Sequence, residues 1–119
     1  MKSVMIHDLL EMRVLVTRES ARTIEGKLAD ALAEGDGEAI LDFTGVEGLA
    51  PSFLDETLSV IEDCSLAVGR GHIRVVLKNP PTLLSEKFAA VARGHDLKIE
   101  ASDMGDWILS RNGDITDAK

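Results

Sequence analysis

The 119-residue sequence predicts one α/β domain with a mixed, mostly parallel sheet of four or five strands and three or four helices. Short runs rich in Val, Ile and Leu alternate with longer segments whose apolar residues recur at helical spacing. Strands separated by single helices favour parallel neighbours in a sheet. We therefore expect the order β-β-α-β-α-β-α-β with an optional final helix. Residues 1–110 form the expected domain and 111–119 a flexible tail.

The N-terminal part predicts two strands, at 4–10 and 12–17, that are joined by a tight turn. We expect the first strand to run antiparallel to the rest of the sheet. Thr17 then caps a helix from Arg18 to about Glu34, which ends at the glycines around Asp36. The apolar residues that form the buried face of this helix are Ala21, Ile24, Leu28, Ala31 and Leu32.

The rest of the chain continues the alternation of strands and helices. Proline is accepted in the first turn of a helix, so Pro80 and Pro81 indicate where one strand stops and a helix begins. The predicted elements are a strand at 39–43, a helix from Ser52 to about Ala67, a strand at 72–78, a helix up to Gly94, a strand at 97–101, and a short terminal helix that begins at Ser102 and contains Trp107.

The composition limits the classes of partner and the cellular compartments that we expect for this protein. The net charge of −8 argues against nucleic acid or an anionic membrane, because both favour proteins with clustered Lys and Arg. The only cysteine, Cys64, cannot form an internal disulfide, which fits a reducing compartment. The N-terminal residues lack the pattern of a signal peptide, and no segment is long and apolar enough to span a bilayer. We expect a cytoplasmic protein.

The most informative segment is the strand-to-helix corner, residues 44–56, which follows the strand at 39–43. Gly45 and Gly48 give its loop conformational freedom. Pro51 and Ser52 then read as the start of a helix, with Ser52 as the cap and acidic residues in the first turn.

This segment resembles the equivalent corner of STAS domains, a family named from sulfate transporters and anti-sigma-factor antagonists. The residues that carry the resemblance are Leu41-Asp42-Phe43-Thr44, Val46-Glu47-Gly48-Leu49 and Ala50-Pro51-Ser52-Phe53. Ser52-Phe53-Leu54-Asp55-Glu56 is similar to the Ser-Phe-x-x-Glu ending of a bacterial STAS-like branch. The resemblance implies a regulatory domain in signal transduction, whose partner is a kinase-like ATPase or an anti-sigma-like protein.

Ser52 has two interpretations. As a helix cap, its side chain would contribute about 1 kcal/mol and need no partner. As a functional residue, it would be phosphorylated or recognised by a kinase, since the free amides of a helix start favour a phosphate. In antagonists of the partner-switching type the phosphorylated serine corresponds to Pro51 here, so Ser52 is displaced by one position.

The other candidate partner-binding residues surround Ser52: Asp42, Thr44, Glu47, Leu49, Asp55 and Glu56. Asp42 and Thr44 are expected to order the loop, and Leu49 to remain a partly exposed contact. The acids at 47, 55 and 56 have no evident His, Lys or metal partner, so a solvated acidic rim that faces a basic protein is favoured over an acid–base set. Because loops after parallel strands share an edge, segments 44–52, 79–82 and 102–106 should lie together.

The resulting hypothesis is a non-catalytic protein-interaction module without cofactor or metal. No nucleophile–base pair can be assembled, and His7, His72 and His95 lack the spacing of metal ligands. Two alternatives stay open: a nucleotide or small-ligand domain that uses the same sheet edge, and a domain whose main partner is a second copy of itself.

Overall fold

The computed structural model describes residues 2–68, 72–80, 91, 94–95, 97–102 and 105–112. The α/β class expected from the sequence is confirmed. The elements are β1 (Lys2–Met5), α1 (Ile6–Leu10), β2 (Val14–Leu15), α2 (Arg18–Arg22), α3 (Glu25–Glu34), β3 (Glu38–Asp42), β4 (Gly48–Leu49), α4 (Pro51–Val68), β5 (His72–Lys78), β6 (Lys98–Ala101) and β7 (Trp107–Asn112).

The main sheet has five strands in the order β1-β3-β5-β7-β6. The pairs β1–β3 and β3–β5 are parallel, whereas β7 is antiparallel to both of its neighbours. Four strands therefore run in one direction and only β7 opposes them. The carboxyl ends of β3 and β5 consequently meet at one edge of the sheet, which is the edge that carries the corner.

The expected hairpin at the N-terminus is wrong. β1 is parallel to β3, with Val4 opposite Leu41, and the chain leaves β1 through α1 instead of a tight turn. Ile6 is fully buried and Leu9 and Leu10 pack against the core. These three residues have the i, i+3, i+4 spacing of a short amphipathic helix, and α1 begins the long crossover, residues 6–37, that parallel pairing of β1 with β3 requires.

β2 does not join the main sheet. It forms a separate two-stranded parallel ribbon with β4, in which Val14 lies opposite Gly48 and Leu15 opposite Leu49. Leu15 points into the core and is completely buried. This β2–β4 ribbon connects the N-terminal part of the chain to the corner.

Thr17 caps α2 as expected, since its side-chain oxygen accepts a hydrogen bond of 3.1 Å from the Ser20 amide. The predicted helix from Arg18 to Glu34 is broken into α2 and α3 at Thr23. The Thr23 hydroxyl donates to the Ser20 carbonyl at 2.6 Å, a local bond that competes with helix continuation. Gly37, with φ of 92°, belongs to the turn that follows α3.

Helices α3 and α4 cover one face of the sheet. The predicted apolar face of the first helical segment is buried, as are Phe53, Leu54, Leu58 and Ile61 of α4. β5 alternates buried and less buried positions, as does β3. None of the helices in the described ranges is long and apolar enough to cross a bilayer.

The terminal helix predicted at Ser102 is wrong. The Gly105 amide donates to the Ser102 carbonyl at 3.1 Å in a turn, and Trp107 begins strand β7 between β5 and β6. Gly105 has φ of 86°, a conformation that glycine adopts readily and that ends regular structure here. β7 continues to Asn112, and residues 113–119 lie outside the described part, as does most of the helix predicted between Pro81 and Gly94.

Candidate functional site

A chain of hydrogen bonds ties the carboxyl ends of β3 and β5 together. Asp42 Oδ1 accepts from the Thr44 amide at 2.9 Å and from the Thr44 hydroxyl at 2.6 Å. The Thr44 hydroxyl in turn accepts from Asn79 Nδ2 at 2.8 Å. The loop-ordering role expected of Asp42 and Thr44 is confirmed, and the structure adds Asn79, which has a left-handed φ of 54° at the end of β5.

The same network reaches the loop before β7. Asp106 Oδ1 accepts from the Asn79 amide at 3.0 Å, and the Asp106 amide donates to Ser102 Oγ at 3.1 Å. The three loops expected at one sheet edge are thus adjacent where the structure describes them. We call Asp42, Thr44, Asn79, Ser102 and Asp106 the edge network.

The edge network favours the ionised form of Asp42. Partial burial would raise the pKa of this carboxyl, but the two hydrogen bonds from Thr44, the contact with Asn79 and the charge of Lys78 outweigh it and lower the pKa overall. The carboxylate is thereby occupied as an acceptor that orders the loop.

Ser52 is not the helix cap that the sequence predicts. α4 begins at Pro51, which places Ser52 inside the first turn, and its hydroxyl donates to the Val16 carbonyl at 2.7 Å. The Ala50 amide donates to the Leu15 carbonyl at 2.8 Å just before the helix. Ser52 is half-buried, and its hydroxyl fastens the start of α4 to the segment between β2 and α2.

Asp55 lies between two cationic groups. Arg18 Nη1 donates to Asp55 Oδ2 at 2.6 Å, and His95 Nε2 contacts Asp55 Oδ1 at 2.7 Å. These partners, Arg18 first and then His95, lower the pKa of Asp55. Asp55 is in the second turn of α4, not the first, and the expectation that it lacks a basic partner is wrong.

Glu56 is paired in the same way, by Arg22. The Arg22 Nε–Glu56 Oε2 distance is 2.9 Å, and Arg22 Nη1 also donates to Asp63 Oδ2 at 2.7 Å. The Glu56 side chain is only 18% exposed. Asp55, Glu56 and Asp63 of α4 are therefore paired with arginines of α2, which differs from the unpaired acidic rim that the sequence suggested.

His95 completes this α2–α4 face, which we define by Arg18, Arg22, Asp55, Glu56 and His95. Its side chain is 6% exposed, and its second ring nitrogen, Nδ1, contacts Glu62 Oε1. Burial would lower the His95 pKa, but the hydrogen bonds to Glu62 and Asp55 outweigh burial and raise it. Because both ring nitrogens face carboxylates, the charged imidazolium, which donates from both, fits the site.

Glu47 and Leu49 remain accessible on the corner. Glu47 is 65% exposed on its side chain and lies 3.7 Å from Arg13 Nη1, a pair that water screens strongly. Leu49 is half-buried, and Thr44 and Pro51 are exposed beside it. Fewer residues of the corner are thus accessible to a partner than the sequence suggested.

Sequence reasoning missed an exposed apolar stripe beside the corner. Met12, Val14 and Val16 are 39%, 55% and 53% exposed. Their alternation with Arg13 and Leu15 was the available signal, because successive residues of a strand face opposite sides.

Cys64 is buried, and its burial raises the pKa of the thiol to about 11, which keeps it protonated and unreactive. Within the described ranges, His, Cys, Asp and Glu side chains form no group of three or more that could hold a metal ion. A cavity of about 410 Å³ lies between β1, α1 and α3, away from the corner; Lys2, Lys27, Asp30 and Glu34 line part of it.

Comparison with family models, curated proteins and solved structures found no match for this chain. The STAS-like resemblance therefore rests on the corner residues of the sequence alone.

Proposed function

We propose that this chain is a non-catalytic regulatory module that docks a protein partner through the accessible part of the corner. By the STAS-like resemblance, the partner is a kinase-like ATPase or an anti-sigma-like protein in bacterial signal transduction. The observation that carries the proposal is the edge network, because it holds Thr44 in a fixed and exposed position where three loops converge.

Rigid presentation favours recognition. Loops that are ordered before binding lose less conformational entropy when a partner is bound. Thr44 and Asn79 are linked by a side-chain hydrogen bond of 2.8 Å, which ties the loop after β3 to the end of β5. Open α/β sheets commonly bind at this edge.

The contacting residues follow from what is left accessible. Glu47, Leu49 and Thr44 face solvent, whereas Asp55 and Glu56 are held by Arg18 and Arg22. We assign partner contact to the former group and a positioning role to Asp55 and Glu56. Glu47 then supplies the negative charge that selects a basic surface on the partner.

The alternative, a nucleotide or small ligand at the same edge, has less support. Ligand pockets are concave and enclose most of the ligand surface. The 410 Å³ cavity is lined by residues of β1, α1 and α3 and does not include the corner.

Modulation at Ser52 would act through its bond to Val16. Phosphorylation would remove the donated hydrogen bond and place a dianion at the start of α4, where free amides favour it. The expected consequence is release of the β2–α2 connection from the helix. Ser52→Ala and Ser52→Asp baits that capture the partner equally would leave Ser52 as a structural fastener only.

Charge reversal at one glutamate tests the docking surface. Glu47→Lys should reduce capture of the partner by at least about tenfold, because like charges then face each other. Quantitative mass spectrometry of proteins retained from the native lysate measures this. The matched control is Glu34→Lys, whose side chain is 59% exposed and pairs with Lys2 at 3.3 Å near the opposite sheet edge. Equal capture by both variants would contradict the proposal.

A further inference from the structure

We propose that an extended peptide segment of a protein partner binds in the groove between β1 and α3 and adds a strand to the main sheet. This β1–α3 groove is the cavity of about 410 Å³ described above. Two charged side chains of α3 select a segment that carries one basic and one acidic residue on the same side. The groove does not include the corner, so its occupant is independent of the docking function proposed above.

The lining residues place the groove along the edge of β1. All four residues of the strand, Lys2–Met5, line it, although successive side chains of a strand point to opposite faces. A cavity that touches all four therefore follows the backbone edge, over a length of about 13 Å. The other wall is one stripe of α3 with the i, i+3, i+4, i+7 spacing of a single helix face: Lys27, Asp30, Ala31 and Glu34.

The hydrogen bonds between β3 and β5 show which backbone groups of β3 face β1. The Phe43 amide donates to the Lys78 carbonyl at 2.8 Å. The Arg74 amide donates to the Gly37 carbonyl at 2.9 Å. Backbone groups of successive residues in a strand point in opposite directions. The odd-numbered residues of β3 therefore bond to β5, and the even-numbered residues bond to β1.

The register of β1 then determines which of its own groups are open. Ser3 lies opposite Ile40, and in a parallel pair Ile40 bonds to the neighbours of Ser3, the Lys2 carbonyl and the Val4 amide. The amide and carbonyl of Ser3 and the amide of Met5 consequently point away from β3. In the described part of the chain these three groups have no hydrogen-bond partner. Donors and acceptors that alternate along a strand edge match the backbone of another extended chain.

The charges on α3 specify the side chains of the occupant. Glu34 pairs with Lys2 at 3.3 Å, whereas Lys27 and Asp30 are exposed and form no ion pair with the other described residues. Ala31, beside them, is only 6% exposed and forms an apolar floor. Side chains two residues apart in an extended peptide lie on the same side, about 6–7 Å apart. One basic and one acidic residue at such positions complement Asp30 and Lys27.

Titration of the isotopically labelled full chain with a capped five-residue peptide, followed by NMR spectroscopy, tests the proposal. The probe, acetyl-Thr-Lys-Thr-Glu-Thr-amide, carries Lys and Glu on one side and Thr on the other. The amide signals of Ser3 and Met5 should shift, and their hydrogen exchange with water should slow, because both amides become hydrogen-bonded. We expect a dissociation constant of about 1 mM or below.

Charge variants test the selectivity of the groove. The wild type should bind the mixed probe at least about threefold more tightly than versions with two Lys or two Glu. Asp30→Lys should instead prefer the version with two Glu, and Lys27→Glu the version with two Lys. The matched control is Glu47→Lys, the same kind of charge reversal at the corner, which should keep the wild-type order. Equal affinity of the wild type for all three peptides would contradict the assigned selectivity.

Proline at position 5 tests the backbone contact. Met5 has φ of −85°, close to the value of proline, and its amide does not bond to β3, so Met5→Pro removes an open donor from an edge strand. This variant should bind the probe at least about tenfold more weakly, whereas Met5→Ala, which keeps the amide, should stay within about threefold of the wild type. Methylation of alternate amides of the probe gives the same comparison on an unchanged chain. Methyl groups on the amides that face β1 should block binding, and those on the other amides should not.

Two further outcomes would overturn the proposal. A probe that leaves the Ser3 and Met5 amides unchanged at several times the expected dissociation constant, or that shifts the amides of the corner instead, would show that the groove does not bind an extended peptide. Equal affinity for both sets of methylated probes would show that the peptide does not pair with the backbone of β1.

Discussion

Two neighbouring surfaces meet at Ser52. They differ in whether their side chains are paired within the chain or exposed to solvent. On the α2–α4 face, Asp55 and Glu56 are bonded by Arg18 and Arg22 within the chain. On and beside the short β2–β4 ribbon, Met12, Val14 and Val16 are exposed to solvent. The charged side chains of the α2–α4 face are therefore paired within the chain, whereas the apolar side chains of the second surface remain exposed.

The difference shows that charge alone does not identify a docking surface. Asp55 and Glu56 read as an acidic rim in the sequence, yet a partner would have to displace Arg18 and Arg22 to reach them. The side chains of Arg18 and Asp55 are 53% and 38% exposed, so water screens this pair and it contributes little to stability. Met12, Val14, Val16 and Glu47 are exposed, so a partner can contact them directly.

The largest expected effect is on the free energy of unfolding, and it distinguishes the buried residue of β2 from the exposed one. Leu15→Ala should lower the free energy of unfolding by about 2–5 kcal/mol, since Leu15 is fully buried and its loss leaves a cavity. Val14→Ala should change it by less than about 0.5 kcal/mol, because more than half of Val14 is exposed. Urea unfolding of dilute protein measures both. A loss above 1 kcal/mol for Val14→Ala would indicate that the stripe packs within one chain, at odds with an open surface.

A smaller effect is expected from the charge network. Arg22→Met should cost about 1–2 kcal/mol, because Glu56 is mostly buried and would lose its closest cation. Arg13→Met is the control, since Arg13 is 73% exposed and lies 3.7 Å from Glu47, and its cost should stay under about 0.5 kcal/mol. Chemical unfolding at low and high salt gives both values. Equal losses would mean that the α2–α4 face is screened like any exposed pair.

Much of the fold follows from local patterns. α4 and β5 begin and end within a residue of the predicted bounds, because each carries a strong helical or alternating signal with clear breakers. The N-terminal hairpin was wrong because the short segment 6–10 reads equally as strand or helix by composition. Trp107 and Ile108 were assigned to a helix, although they belong to β7, whose pairing with β5 is decided by tertiary contacts.

Contacts in the candidate site could be predicted where the two residues are close together in the sequence. The bond from Thr44 to Asp42 spans two residues and is a common turn feature. The pairing of His95 with Asp55 spans 40 residues, and nothing in the local sequence signals it. Ser52 had the residue type of a cap, but Pro51 already occupies the first helical position, and the hydroxyl bonds to Val16 instead.

The smallest expected effect is a change in the pH dependence of stability through His95. The pKa of this imidazole is raised in the folded state above its ordinary value of 6.5. Its contribution is therefore fully present below pH 6.5 and is lost as the pH rises through the raised value. The pKa of Asp55 is lowered from 3.8, so the Asp55 contribution is lost only as the pH falls below that value.

The stability gap between wild type and His95→Gln should therefore be widest near about pH 5 and should shrink as the pH rises above neutrality. Thermal unfolding from pH 4 to 9 measures this gap. The control is His72→Gln, because it replaces an exposed histidine at the start of β5 and leaves the α2–α4 face intact. A gap that stays constant with pH would mean that His95 is neutral in the folded state and donates to only one of the two carboxylates. The positive charge on the α2–α4 face would then come from Arg18 and Arg22 alone.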